Sequence, residues 1–187
     1  MPLNLPNILT VLRIAMALGV MRFLFLPGFW PKLAALILFL LATLTDWVDG
    51  KLARKWGQIT EFGALWDPIA DKLLILGTLF CLMMLAWIRL WMLCVIAGRE
   101  LFVTVLRMRQ VRQGGGVISA SQSGKWKTSF QFVVIVGILL FLVLRECAFW
   151  RPEWDDTAFH VTYWSMLFIV GFTLWSGVRV LVKNARR

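Results

Sequence analysis

Four aspartates stand at helical spacing in a chain that is otherwise mostly apolar. The stretch DWVDGKLARKWGQITEFGALWDPIAD holds them as two pairs, Asp46 with Asp49 and Asp67 with Asp71. Residues three or four apart share one face of a helix, so each pair presents two carboxylates together. A carboxylate at the centre of a bilayer costs about 2.5–3.5 kcal/mol on insertion scales, and like charges at this spacing repel. Such pairs therefore require positive counter-charge.

A divalent cation would supply that counter-charge, because clustered carboxylate oxygens suit Mg²⁺ and Mn²⁺. Four converging carboxylates are enough for two such ions. The alternative is pairing with the basic residues close in sequence, which are Lys51, Arg54, Lys55 and Lys72. Salt bridges alone leave Gly50 and Gly63 unexplained, since glycine on a helix permits close approach of a backbone or ligand. Arg54 adds a planar donor fork suited to phosphate oxygens, and the set predicts a metal-assisted diphosphate site.

A second group of ionisable residues predicts a site for a phosphate monoester. Arg99 and Glu100 lie inside an apolar run that ends at Arg107, and ionisable residues within membrane segments are functional candidates by default. The later segment GVISASQSGKWKTSFQ combines hydroxyl groups with Lys125 and Lys127. The alternative is an internal Arg99–Glu100 pair, with the lysines serving only membrane topology.

Six apolar runs must position these residues. The chain is 60% hydrophobic and 16% charged, whereas a soluble domain is closer to half apolar and a quarter charged. With its flanking residues, each run can span a hydrocarbon core of about 30 Å; the runs are residues 14–29, 33–48, 73–88, 90–106, 130–144 and 161–182. They predict an all-α integral membrane protein with one domain, 1–187, and six transmembrane helices. The mixed polar and apolar residues 2–13 predict a short interfacial helix before the first span.

Basic residues concentrate on one side of this predicted bundle. The net charge is +10, and most lysines and arginines fall between spans 2 and 3, between spans 4 and 5, or at the C-terminus. The positive-inside rule therefore predicts that both termini and all four aspartates face the cytoplasm. Membrane topology together with attraction to anionic lipid explains most of the loop charge.

The aspartate segment also resembles the signature of a known family. It matches D-x₂-D-G-x₂-A-R-x₈-G-x₃-D-x₃-D at every defined position, which are Asp46, Asp49, Gly50, Ala53, Arg54, Gly63, Asp67 and Asp71. This is the pattern of the CDP-alcohol phosphotransferases, a family whose six spans agree with the six apolar runs. The resemblance implies transfer of a phosphatidyl or similar group from a CDP-linked donor to an alcohol, with release of CMP.

The resemblance further implies a role for each signature residue. Asp46, Asp49 and Asp67 would bind a first metal ion, and Asp67 and Asp71 would share a second. Asp71 would also be the base that deprotonates the acceptor hydroxyl. The donor would be bordered by Asp49, Gly50, Ala53, Arg54 and Gly63 of the signature, and by Asn7, Thr10 and Arg13 of the N-terminal segment.

Other segments resemble the bacterial phosphatidylglycerophosphate synthases of that family. These are PNILTVLR at 6–13, GRE at 98–100, the arginine at 107 and SASQSGKWKTSFQ at 119–131. The resemblance implies CDP-diacylglycerol as donor and sn-glycerol 3-phosphate as acceptor, in a homodimer of the bacterial cytoplasmic membrane. The acceptor phosphate would then be held by Arg99, Arg107, Lys125 and Lys127.

Two other functions stay open at this stage. A related enzyme could use phosphatidylglycerol or an inositol phosphate as acceptor, although a lipid acceptor does not need a cluster of cations for a phosphate monoester. A divalent-cation transporter could be built on the carboxylates, but the aspartates lie at one membrane face and no acidic residues continue across the spans.

Overall fold

Six helices make up the described part of the chain. The computed structural model describes residues 5–56, 61–112 and 122–185, with side chains for residues 9–45, 69–106 and 129–179. In chain order the helices are α1 (Leu5–Leu24), α2 (Phe29–Trp56), α3 (Glu61–Met84), α4 (Leu90–Arg112), α5 (Gln122–Arg145) and α6 (Trp154–Ala185). No strand occurs in these ranges, so the all-α prediction is confirmed.

The apolar character of the helices fits a membrane protein. Within the described residues, one helical segment, Trp154–Arg179, is both long and apolar enough to cross a bilayer. Two shorter apolar helical segments cover Phe29–Thr45 and Ser129–Arg145. The crossing of all six helices therefore remains a prediction.

The N-terminal segment forms one helix where the sequence predicted two elements. The interfacial helix expected over residues 2–13 and the span expected from residue 14 are continuous in α1. Pro6 lies in the first turn of α1, where its missing N–H donor breaks no helical hydrogen bond, and no later proline interrupts the helix. The described residues thus contain no separate interfacial helix. After α1 the chain turns at Gly28, whose φ of 97° favours glycine.

Close contacts set α1 against its two neighbours, α2 and α3. A Cβ atom at Gly19 would lie 2.9 Å from Leu38 Cδ1 of α2. A Cβ atom at Gly77 of α3 would overlap Met21 Cε of α1. At these two positions the ends of the Leu38 and Met21 side chains therefore pack directly over a glycine of the opposite helix.

Aromatic rings connect this group of helices to the rest of the bundle. The rings of Phe39 on α2 and Phe132 on α5 stack with centroids 5.8 Å apart. Trp87, which follows α3, contacts Phe141 near the end of α5, so α3 and α5 end on the same side of the bundle. Because α3 runs antiparallel to α2, α5 also runs antiparallel to α2. On its other side, α5 contacts α6 through Phe130 and Phe172, whose centroids are 5.7 Å apart.

Polar contacts close the end of the bundle opposite the aspartates. The buried Lys32 donates a hydrogen bond from Nζ to the carbonyl oxygen of Leu24, which ends α1. Arg145 and Asp155 form an ion pair at 2.9 Å, and Trp150 Nε1 donates to the same carboxylate at 2.9 Å. These contacts hold α1 to α2 and α5 to α6.

Phe39 is expected to be a major source of stability because it is fully buried and stacks on α5. Phe39→Ala should lower the free energy of unfolding by about 3–5 kcal/mol, the usual cost of emptying a core aromatic site. Thermal unfolding in detergent measures this. The matched control is Phe80→Ala, since Phe80 is 49% exposed on α3. Equal losses in the two variants would contradict the packing described here.

Candidate functional site

The four aspartates lie within helices, at the spacing that the sequence predicted. Helix α2 continues past Asp49 to Trp56, and α3 begins at Glu61, before Asp67. The helices therefore extend beyond the predicted spans, which ended at 48 and began at 73. Each aspartate pair occupies positions about one turn apart on a single helix.

We call the height of a residue along the axis of the helix bundle its level. The contact between α1 and α2 gives the level of the first aspartate pair. Gly19 faces Leu38, and the two helices run antiparallel because a short turn joins them. Eight residues along α2 from Leu38 lead to Asp46, and eight back along α1 from Gly19 lead to Val11. Each step covers about 12 Å at 1.5 Å per residue. Asp46 is therefore level with Val11.

The contact between α1 and α3 gives the level of the second pair. Gly77 faces Met21, and α3 runs parallel to α1. Ten residues back from Gly77 lead to Asp67, and ten back from Met21 lead again to Val11. Each step covers about 15 Å. Asp46 and Asp67 thus lie within about one helical turn of the same level of the bundle, on two helices that both pack against α1.

Two polar side chains of α1 are buried on either side of this level. Thr10 and Arg13 are each 1% exposed, and a buried guanidinium is stable only with anionic or other hydrogen-bonding partners. The aspartate-bearing turns of α2 and α3 lie at the same depth. Both side chains face neighbouring helices rather than lipid, and the predicted contact of Thr10 and Arg13 with the donor remains a prediction.

Of the four aspartates, only Asp71 belongs to the part of the chain with described side chains, where it is half-buried. The other predicted metal and donor residues lie outside that part; they are Asn7, Asp46, Asp49, Gly50, Ala53, Arg54, Gly63 and Asp67. Where side chains are described, no three His, Cys, Asp or Glu residues are close enough to hold a metal. The donor chemistry fits a hard divalent cation, because all four ligands offered are carboxylates.

Arg99 is the predicted acceptor residue whose side chain the structure describes. Its Nη2 atom donates a hydrogen bond to Ser176 Oγ of α6 at 2.8 Å. Its Nη1 atom lies 3.7 Å from Glu100 Oε1, so the alternative Arg99–Glu100 pair is present, although it is too long for a hydrogen bond. The side chains of Arg107, Lys125 and Lys127 lie outside the described set.

The packing of α5 relates the predicted acceptor lysines to the aspartates. From the stacked pair Phe39 and Phe132, seven residues along α2 lead to Asp46. Seven residues back along α5 lead to Lys125. Both steps cover about 10 Å, so Asp46 and Lys125 lie within about one helical turn of the same level on adjacent helices.

The packing of α6 brings Arg99 to that level as well. Phe130 of α5 contacts Phe172 of α6. Ser176 lies four residues beyond Phe172, and Lys125 lies five residues before Phe130 on the antiparallel helix. Arg99, bound to Ser176, is therefore within about one helical turn of the level of Lys125.

Sequence reasoning gave α6 no role, yet α6 carries a buried polar face beside Arg99. Thr173 and Ser176 are both fully buried. A Cβ atom at Gly177 would lie 3.5 Å from Arg99 Cγ. The available signal was three small residues, two of them polar, at i, i+3 and i+4 of an apolar helix, which places them on one helical face.

Comparison with known proteins agrees with the aspartate signature. The model of the CDP-alcohol phosphatidyltransferase family matches residues 3–175. The chain belongs to this family of enzymes. The family assignment made from the sequence is thereby confirmed.

Several curated relatives are similar along much of the chain. A probable phosphatidylglycerophosphate synthase of Mycobacterium tuberculosis is 46% identical over 143 residues, which are 75% of this chain and 66% of the relative. A CDP-diacylglycerol–glycerol-3-phosphate 3-phosphatidyltransferase of Bacillus subtilis is 40% identical over 150 residues, covering 73% and 77%. The enzyme of the same name from Sodalis glossinidius is 34% identical over 184 residues, covering 94% and 92%. The match thus spans just under two thirds of the mycobacterial relative.

The positive charge of Arg13 is expected to stabilise the folded protein, because Arg13 lies at the same level as the aspartates. Arg13→Gln should lower the free energy of unfolding by about 3–5 kcal/mol, the usual cost of removing one partner from a buried ionic group. Arg22→Gln is the control, since Arg22 is an exposed residue of the same helix. Thermal unfolding in detergent at a fixed Mg²⁺ concentration compares the two. Equal unfolding midpoints for the two variants would show that the charge of Arg13 does not stabilise the fold.

Proposed function

We propose that this protein transfers the phosphatidyl group of CDP-diacylglycerol to sn-glycerol 3-phosphate, giving phosphatidylglycerophosphate and CMP. The observation that carries the proposal is the common level of the aspartate signature, Lys125 and Arg99, because it offers carboxylates for a metal-bound diphosphate and cations for a second phosphate. The names of the relatives, which include this reaction, support the same donor and acceptor.

The carboxylates of the signature form the proposed metal site. Asp46, Asp49 and Asp67 would hold one Mg²⁺ or Mn²⁺, and Asp67 and Asp71 a second. A divalent ion bound there would neutralise the charge of the diphosphate and of the departing phosphate. On the chain itself, the donor would be bordered by Asp49, Gly50, Ala53, Arg54 and Gly63, and by Asn7, Thr10 and Arg13.

Proton transfer to Asp71 is the proposed first chemical event. Its carboxylate would accept the proton of the glycerol hydroxyl as the oxygen attacks the phosphatidyl phosphorus. A bond forms between that oxygen and phosphorus, and the bond from phosphorus to the bridging oxygen breaks, so CMP leaves with the electron pair. The side chains that hold both substrates contribute by positioning and by stabilising charge.

The acceptor phosphate would be held by Arg99, Arg107, Lys125 and Lys127. Arginine offers a planar fork for phosphate oxygens, whereas lysine acts as a mobile point charge. In this arrangement the four cations recognise the phosphate monoester. The hydroxyl at the other end of glycerol 3-phosphate is then free to reach Asp71.

The proposed setting is the bacterial cytoplasmic membrane. All six helices would cross it as a single domain, 1–187, with both termini and the active site on the cytoplasmic side, because the basic connections lie there. We further propose a homodimer, which rests on the family resemblance. Glycerol 3-phosphate would reach the site from water, and CDP-diacylglycerol from the lipid.

Incubation of the purified protein with labelled CDP-diacylglycerol and a panel of alcohols tests the function. The panel contains sn-glycerol 3-phosphate, glycerol, phosphatidylglycerol and an inositol phosphate. Formation of labelled phosphatidylglycerophosphate with equimolar CMP, abolished by excess chelator, is the expected result. Preference for another alcohol would overturn the acceptor assignment while the donor site could stand.

Asp71→Asn is expected to separate chemistry from donor binding. A carboxamide cannot take the proton, so transfer should be lost while donor binding stays largely intact. Asp46→Asn should instead weaken binding of both metal and donor. Metal titration with donor binding and turnover as readouts distinguishes the two variants. An Asp71→Asn enzyme that kept more than about a tenth of wild-type rate would remove Asp71 from the role of base.

The acceptor cations should act on glycerol 3-phosphate and little on the donor. Losing one charge-assisted hydrogen bond of about 1.5–3 kcal/mol predicts a loss of about 10- to 150-fold in acceptor kcat/KM. Lys125→Ala and Arg107→Ala should show this with donor KM nearly unchanged, and Arg99→Lys should also be poor because a point charge cannot replace the fork. Arg112→Ala, on the same basic connection, is the control. Normal use of glycerol 3-phosphate by the first two variants would exclude them from the site.

A further inference from the structure

We propose that Ser176 of α6 is a positioning residue that orients the Arg99 guanidinium toward the acceptor phosphate. The inference rests on the proposed function, in which Arg99 binds glycerol 3-phosphate. It adds a helix that the aspartate signature does not include. Ser176 also lies one residue beyond the segment that the family model matches, which ends at 175.

The hydrogen bond between the two residues is short and shielded from solvent. The distance from Arg99 Nη2 to Ser176 Oγ is 2.8 Å. Ser176 is fully buried, and the Arg99 side chain is 12% exposed. Gly177, next to Ser176, leaves room for the aliphatic part of Arg99, since a Cβ there would lie 3.5 Å from Arg99 Cγ. The last turns of α6 therefore meet Arg99 along its stem and at its guanidinium group.

A hydrogen bond to one N–H group restricts the orientation of a guanidinium group. The group is planar and its five donors keep a rigid fork geometry, so a bond from Nη2 to a helix limits the movement of the other donors as well. Such pre-organisation reduces the freedom that the side chain would otherwise lose on binding. The direction of the guanidinium group is then restricted before the acceptor phosphate binds.

Glu100 cannot supply this orientation. Its carboxylate lies 3.7 Å from Arg99 Nη1, which is beyond hydrogen-bond distance, and adjacent residues of a helix point in different directions. The Glu100 side chain is also more exposed, at 26%. Glu100 offsets charge near Arg99, whereas Ser176 accepts a hydrogen bond that restricts the direction of the group.

Removing the hydroxyl should therefore weaken acceptor binding selectively. Ser176→Ala is expected to raise the KM for glycerol 3-phosphate about threefold to tenfold, the effect of losing one hydrogen bond. The kcat value and the KM for CDP-diacylglycerol should change by less than about twofold, since the chemistry and the donor site are untouched. A purely structural defect would instead lower the active fraction and leave acceptor KM unchanged.

Thr173→Val supplies a matched control on the same face of α6. Thr173 is as fully buried as Ser176, but its Oγ1 has no hydrogen-bond partner among the described residues. Valine keeps its shape while removing the hydroxyl. We expect no change in acceptor KM for Thr173→Val, whatever the change in thermal stability.

A double-mutant cycle with Arg99→Ala separates the inference from the proposed function. If Ser176 acts through Arg99, Ser176→Ala should have no further effect on acceptor KM in the Arg99→Ala background. Additive effects, or a normal acceptor KM for Ser176→Ala alone beside a raised one for Arg99→Ala, would overturn the positioning role and leave the acceptor site intact. A normal acceptor KM for Arg99→Ala itself would overturn the acceptor site.

Discussion

The cost of placing ionic groups inside an apolar helix bundle governs this structure. Arg13 is 1% exposed and Arg99 is mostly buried, and neither charge is stable there without nearby polar or anionic groups. The charged positions assigned to the proposed site lie at similar levels of the bundle. Aspartates on α2 and α3 lie beside α1 with its arginine, and Lys125 and Arg99 lie at nearly the same depth on α5 and α4.

Helix-to-helix register is what brings these groups to one depth. The Leu38 and Met21 side chains pack over the glycines at 19 and 77 and so relate α1 to α2 and α3. A shift of one residue in either contact would move an aspartate by about 1.5 Å and rotate it by about 100°. The stacked rings of Phe39 and Phe132 relate α2 to α5 in the same way and so set the register of these two helices. Apolar packing far from the charged residues thus determines which charges can meet.

The sequence predicted the parts of the structure that follow from local pattern. Apolar runs located the helices, and aspartate spacing located positions that share a helical face. The break between an interfacial helix and the first span was wrong because residues 2–13 contain no helix-breaking residue after Pro6. The ends of the helices were also predicted wrongly. A charged residue such as Lys51 ends a hydrophobic run, but it is a good helix former and does not end the helix. The Arg99–Ser176 bond joins residues 77 apart, and no periodicity relates positions on two such helices.

The arrangement divides the proposed work between two groups of helices. Helices α1, α2 and α3 carry every residue assigned to metal and donor, whereas α4, α5 and α6 carry those assigned to the acceptor. The α2–α5 contact and weaker contacts from α3 join the groups. On this proposal, substitutions on α4 to α6 alter the binding of the alcohol while the diphosphate site keeps its register. Ser176, which we propose to act through Arg99, is then a position at which acceptor binding changes without disturbing the carboxylates.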